Sequence, residues 1–309
     1  MSKLVRCITT DGLVMAAAID STDIVRRAVE LHRTTPVVTS ALGRLLTGAS
    51  IMGNKLKEDN ASLTLRMNGG GPAGSIIAVS DSTGNVRGYA QNPRLRLMPD
   101  SRGLLDVSRA IGKDGTVTVI KDYGYGQPFC SQTPIITGEV AEDLTAYYAI
   151  SEQVPTIFCI GVHFDELWRF DKAGGLLIQL MPAADHREIE KLEEMLKTMP
   201  PVTRMLLDGY TPEQILEKTL PGFEVEIFDS QQVEYRCDCS LERVERAFMT
   251  MRPDEIRGLA DESGRAEVLC HFCNKKYYVT QERLDELADI QEQRMREDSA
   301  SDADDDATE

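Results

Sequence analysis

Four cysteines in the last quarter of the 309-residue chain stand in two close pairs, Cys237-Asp238-Cys239 and Cys270-His271-Phe272-Cys273, with thirty residues between them. Thiolates spaced this way converge when the intervening chain folds back, and four converging thiolates form a tetrahedral shell for zinc, with sulfur at about 2.3 Å. A shell closed by four protein ligands leaves no position for water, so hydrolytic zinc chemistry is not expected. The expected chemistry is at sulfur. Metal-bound cysteine is held deprotonated, and the thiolate is the form that oxidants attack. Each cysteine has a neighbour one or two residues away, so a sulfenic acid on one meets a resolving thiol, and oxidation removes ligands from the metal. Structural zinc contributes on the order of 10–16 kcal/mol of apparent binding energy, so its loss should unfold a module with a small core of its own. These residues support a folding switch sensitive to peroxide or hypochlorite, with a static zinc module as the competing reading. His271 is the candidate replacement ligand in a three-cysteine site, although four cysteines already fill the shell.

Other residues with chemical potential read more plainly. Cys7, Cys130 and Cys159 are expected as buried small hydrophobes, and His32, His163 and His186 show no motif spacing. Gly69-Gly70-Gly71-Pro72-Ala73-Gly74 fits G-x-G-x-x-G, but a strand is expected after it where dinucleotide binding needs a helix. Neither a G-x-x-x-x-G-K-[ST] phosphate loop nor a G-x-S-x-G elbow occurs. No nucleotide cofactor and no catalytic residue is expected, and the chain reads as a non-enzyme.

Elements must bring the cysteines together. Ser240 is placed to cap a helix with Leu241, Val244, Phe248 and Met251 on one face, Pro253 to open a shorter one, and Thr280 to begin a last helix using Leu284, Leu287 and Ile290. Residues 223–228 read as a strand ahead of the metal region. Residues 182–220 read as charged amphipathic helices. In the first, Asp185 and Glu188 resemble a capping box ahead of Ile189, Leu192, Met195, Leu196 and Met199, and Pro200-Pro201 ends it; Thr211-Pro212-Glu213 opens another with Ile215, Leu216 and Leu220. Such short helices form no core alone, so their stripes must rest on another surface. Met181, Met195, Met199, Met205, Met249 and Met251 suit ordinary packing there, or an adaptable apolar surface.

The first 180 residues mix helix and strand signals. One helix carries Ile24, Ala28 and Leu31, capped by Ser21 or Thr22 and closed by Pro36; a second covers 40–52, with the small residues Ala41, Gly43, Gly48 and Ala49. Strands are expected at 62–67, 116–121, 134–137, 156–162 and 176–180, a hairpin at 76–80 and 86–90 turning through Asp81 to Asn85, and a helix at 139–151. The class is α+β: an N-terminal mixed core at 1–180, a helical linker at 181–231, a four-cysteine zinc domain at 232–290 and a disordered acidic tail at 291–309.

Residues 1–180 carry 18 basic and 18 acidic side chains, so the whole net charge of −16 lies beyond them. Residues 230–290 hold 9 basic against 13 acidic side chains, which argues against nucleic acid as partner. Residues 297–309 contain seven acidic side chains and no basic one, the basis for expecting disorder. No apolar run is long enough for a membrane helix, and the first residues lack the pattern of a secretory signal. With seven cysteines free of a disulfide framework, the expected compartment is the reducing cytoplasm.

The two cysteine pairs, the flanking run Tyr235-Arg236-Cys237-Asp238-Cys239-Ser240, the preceding amphipathic linker and an α+β domain of this size together resemble the 33 kilodalton heat-shock protein family, which are bacterial redox-regulated holdase chaperones. The resemblance covers the chain apart from the acidic tail. It implies one zinc ion per chain on Cys237, Cys239, Cys270 and Cys273, with the reduced, zinc-bound form inactive. It further implies that oxidation forms Cys237–Cys239 and Cys270–Cys273 disulfides, releases zinc, and unfolds the zinc domain and then the linker. The surface so exposed would bind unfolding client proteins without ATP, the active form being a homodimer. A static zinc-binding interaction or regulatory module is the alternative, and an oxidoreductase using its C-x-x-C comes third.

Overall fold

The computed structural model describes residues 1–99, 103–184 and 186–305, which divide into two compact units, Met1–Arg236 and Cys237–Glu309. In the first unit, helix Pro36–Gly53 lies between two five-stranded antiparallel sheets and touches strands of both. It is buried at every position except Pro36 and Arg44, as a helix apolar on all sides must be. Its small residues allow the sheets to approach: a Cβ at Gly53 would stand 2.2 Å from the Ser80 hydroxyl. Pro36, expected only as a stop for the preceding helix, instead opens this one at its first turn, where a missing N–H costs nothing. The preceding helix, Thr22–His32, is not capped by its own Ser21, whose hydroxyl bonds Thr47; Asp20 and the distant Ser2 accept its first N–H groups.

One sheet has the order Val225–Val233, Ser2–Thr9, Val14–Asp20, Phe170–Leu180, Thr156–Phe164. The other runs Val86–Ala90, Ile76–Asp81, Ser62–Gly70, Gly112–Asp122, Phe129–Pro134. The hairpin through Asp81 forms as expected. Its carboxylate accepts from the N–H groups of Thr83 and Asn85, and Gly84 takes φ +90°. The glycine run joins strands Ser62–Gly70 and Ile76–Asp81, with no helix opening there, so it is not a dinucleotide fingerprint.

The first sheet is apolar on both faces. Leu4, Ala17, Ile19, Phe158 and Leu177 face the central helix. On the opposite face, Val5, Cys7, Val14, Ala16, Ala18, Leu176 and Ile178 are covered by three short helices, His186–Thr198, Val202–Leu207 and Pro212–Thr219. These are the amphipathic helices expected at 182–220. Leu192, Met195, Met205, Leu206, Ile215 and Leu216 supply the covering stripe. Leu206 seats where Gly174 leaves room, since a Cβ there would lie 2.4 Å from it. Thr211 and Gln214 form a full capping box at the third helix; the Asp185 cap expected for the first lies outside the described residues. The boundary expected near Met181-Pro182 is not where compactness breaks. It falls after Arg236, because strand Val225–Val233 returns to pair with Ser2–Thr9 and holds the linker inside the first unit.

After that strand the chain is pinned to the edge of the second sheet. Val86 N–H donates to the Glu234 carbonyl and Arg236 N–H to the Val86 carbonyl, while the Tyr235 hydroxyl donates to the Gly88 carbonyl at 2.8 Å and pairs with His32 Nε2 at 3.1 Å. Arg236 also meets the Asp81 carboxylate at 2.8 Å.

The second unit has a hairpin, Arg265–Leu269 with Lys276–Thr280, and helices Leu241–Phe248, Pro253–Arg257 and Gln281–Asp305. Its buried core is small: Phe248, Ile256, Ala266, Val279, Leu284, Leu287 and Ala288. Ile290, expected on the apolar face of the last helix, is exposed, and Ala288 is buried instead. The tail expected to be disordered is helical as far as Asp305, with 306–309 outside the described residues. Elongating a helix already anchored by Leu284 and Leu287 avoids a second nucleation cost, a term that charge composition does not register. Of the cysteines beyond the two pairs, Cys7 is buried and Cys159 half-buried, but Cys130 is exposed, contrary to expectation, because it lies on edge strand Phe129–Pro134. No helix among the described residues is long and apolar enough to cross a membrane.

Candidate metal centre

Cys237 and Cys239 lie on an extended stretch that ends where the Ser240 hydroxyl accepts the Arg243 N–H and starts helix Leu241–Phe248. Cys270 and Cys273 occupy the tip of the hairpin. There Cys270 N–H bonds the Lys275 carbonyl and Asn274 N–H bonds the Cys270 carbonyl, with Asn274 at φ +59°. Asparagine tolerates this left-handed turn well, so the knuckle folds without glycine.

All four sulfurs lie within 4.8 Å of one another. Cys237 Sγ approaches Cys270 Sγ at 3.7 Å and Cys239 Sγ approaches Cys273 Sγ at 3.3 Å. Zinc–sulfur bonds of about 2.3 Å at tetrahedral angles put sulfurs about 3.8 Å apart, so the cluster has the size of a four-thiolate shell. His271 is not in the group of side chains that could share the ion. Burial raises the Cys237 and Cys273 thiols above the usual range. At Cys239 burial is outweighed by hydrogen bonds from Tyr277 and the neighbouring thiols, which hold it below that range. Four half-buried sulfurs gathered this closely are a donor set suited to a thiophilic dication.

Tyr277, which sequence reasoning missed, donates its hydroxyl to the Cys239 carbonyl at 2.8 Å and lies 3.1 Å from Cys239 Sγ. Its signal was its place on the buried side of an alternating strand, four residues beyond Cys273. Groups that orient metal ligands typically contribute 10–100-fold to affinity. If the cluster holds a metal, Tyr277→Phe should therefore weaken its binding by about tenfold or more in a competitive chelator titration with added zinc, without changing the number of sulfurs seen by X-ray absorption.

Fold and site together define a two-unit α+β protein whose second unit is organised around a four-thiolate cluster. Comparison with known proteins gives this class a family. The family model described as Hsp33 protein matches residues 2–280. A 33 kDa chaperonin from Geobacillus sp. (strain WCH70) is 42% identical over 289 residues, covering 94% of this chain and 98% of that protein. One from Clostridium botulinum (strain Loch Maree / Type A3) is 41% identical over 290 residues, covering 94% and 97%. The crystal structure of the 33 kDa chaperonin from Thermotoga maritima superposes with a TM-score of 0.82 at 32% identity, covering 93% of this chain and 98% of that one. The chain belongs to the Hsp33 family, a family of chaperones rather than enzymes.

Proposed function

We propose that this protein is a redox-switched, ATP-independent holdase of the cytoplasm: inactive when reduced and zinc-bound, active when its four cysteines are oxidised. The observation that carries the reading is four sulfurs within 4.8 Å in a unit whose own buried core is small. Cys237, Cys239, Cys270 and Cys273 would hold one zinc ion, which when bound cross-links the two pairs and keeps the sulfurs as thiolates. Peroxide converts one thiolate to a sulfenic acid; a second thiol attacks that sulfur, a disulfide forms and water leaves. Each disulfide consumes one peroxide.

The tetrahedral cluster does not by itself select the disulfide pairing, since sulfurs from different pairs are also close. Chain separation selects it. Once the unit loosens, cysteines one or two residues apart stay together, whereas those more than thirty apart disperse. Cys237–Cys239 and Cys270–Cys273 are therefore the proposed bridges. The proposed client surface is the apolar sheet face of Val5, Val14, Ala16, Ala18, Leu176 and Ile178, which the linker helices cover in the reduced protein. Unfolding proteins expose apolar segments that match it, and the oxidised form is proposed to act as a homodimer.

The deciding experiment is light scattering from a thermally unfolding protein, with this chain added either reduced or peroxide-treated and zinc release followed in parallel. Suppression by the oxidised form alone, rising with zinc release, is expected. Zinc release without any suppression would leave the static zinc module as the better reading.

A further inference from the structure

At the C-terminal end of helix Pro36–Gly53 lies a cavity of about 350 Å³, within the size range of small-molecule sites. Met52 and Lys55 line it from the helix end, Leu63 and Lys121 from one sheet, and Gln179 from the other. Tyr148 and Glu152 come from a π-helical turn, Tyr148–Glu152, which Gln153 ends at φ +56°. Such turns are rare and concentrate at functional sites.

Lys55 is the unusual group. Its Nζ donates to the Gln179 side-chain amide and stands 4.9 Å from the centre of the Tyr148 ring. Among the described residues it forms no ion pair. Glu152, the nearest candidate, already accepts from Lys121 Nζ at 2.7 Å and from the Tyr147 hydroxyl at 2.5 Å. Lys57, Glu58 and Tyr123 also line the cavity. Burial is the main force on the Lys55 ammonium; Glu152 opposes it, Lys121 and Arg6 add to it, and the pKa falls to about 8. A desolvated lysine beside other cations is a recognised way to activate an amine as a nucleophile.

We propose that Lys55 is a covalent modification site for small carbonyl electrophiles, aldehydes and α-dicarbonyls that fit this cavity. The neutral amine attacks the carbonyl carbon, a C–N bond forms, and the proton displaced from nitrogen passes to oxygen. The carbinolamine then loses water to leave an imine. No electrons are exchanged, so the reaction is independent of the cysteine chemistry.

The test uses the full-length reduced protein with propionaldehyde, the imine being fixed as an alkylamine by cyanoborohydride. Mass spectrometry compares Lys55 with the exposed Lys57 two residues on. At about pH 7.5 an amine of pKa about 8 has on the order of a hundredfold more neutral form than an ordinary lysine. Allowing for lower basicity and restricted access, Lys55 should react at least about tenfold faster, levelling off above about pH 8 while Lys57 keeps rising. Reaction of Lys55 no faster than Lys57, or with the same pH profile, would overturn the proposal.

Discussion

With Leu192 and Leu206 both replaced by alanine, the reduced, metal-loaded protein should suppress aggregation without any oxidant. Both side chains are buried against the first sheet, Leu206 in the space left by Gly174. Each truncation should cost about 2–5 kcal/mol. The linker helices have 13, 6 and 8 residues, lengths at which isolated helices are marginal, so sheet contact supplies most of their stability. Neither leucine belongs to the cysteine-bearing unit, so metal stoichiometry should not change. Glu190→Ala, on an exposed position of the same helix, should behave as the parent. A double variant that keeps its zinc and stays inactive, while hydrogen exchange shows residues 186–219 open, would separate linker release from client binding and remove the proposed surface.

Chelating the metal from the reduced protein should unfold the second unit and leave the first cooperative. Among the described residues, the buried core cluster of that unit has only seven members, two of them alanine. Fully burying a large apolar side chain is worth about 1.5–3 kcal/mol, against about 1–2 kcal/mol of backbone entropy for every ordered residue. A metal contribution on the order of 10–16 kcal/mol would therefore decide whether the unit is folded. The ion pairs of Arg283 with Glu245 and Arg257 with Glu292 are at most partly buried and contribute too little to replace it. Hydrogen exchange should show the amides of 241–290 losing protection on chelation while those of 36–53 keep theirs. Retained protection at 241–290 without metal would mean that the unit folds on its core alone, and oxidation could not then act by unfolding it.

The cysteine cluster was legible because its ligands come in close pairs, a spacing that few other roles require. The linker helices were legible because apolar residues such as Leu192, Leu196 and Met199 recur at helical period, and what they rest on could be inferred only as some other surface. That surface escaped notice for a physical reason. Strand Val14–Asp20 reads Val-Met-Ala-Ala-Ala-Ile-Asp, and alanine favours helix, so tertiary pairing overrode local preference. Strand Ser2–Thr9, buried on both faces, likewise lacks a clean polar alternation. The roles of Tyr235 and Tyr277 were missed because they are side-chain hydrogen bonds to partners far along the chain, at His32 and Gly88 and at Cys239, which no local pattern encodes.

The linker is fastened at both ends. Strand Phe170–Leu180 precedes it and strand Val225–Val233 follows it, and both belong to the sheet that its helices cover. Melting residues 181–224 would therefore produce a closed loop anchored around the exposed face, not a free tail. Its apolar stripe would persist there at the high effective concentration of a short tether, of millimolar order. Every bound client would compete with a segment that cannot diffuse away, so restoring the reduced metal site would tilt that competition and expel the client by displacement. On the proposed reading, release would draw its free energy from refolding of the protein's own chain.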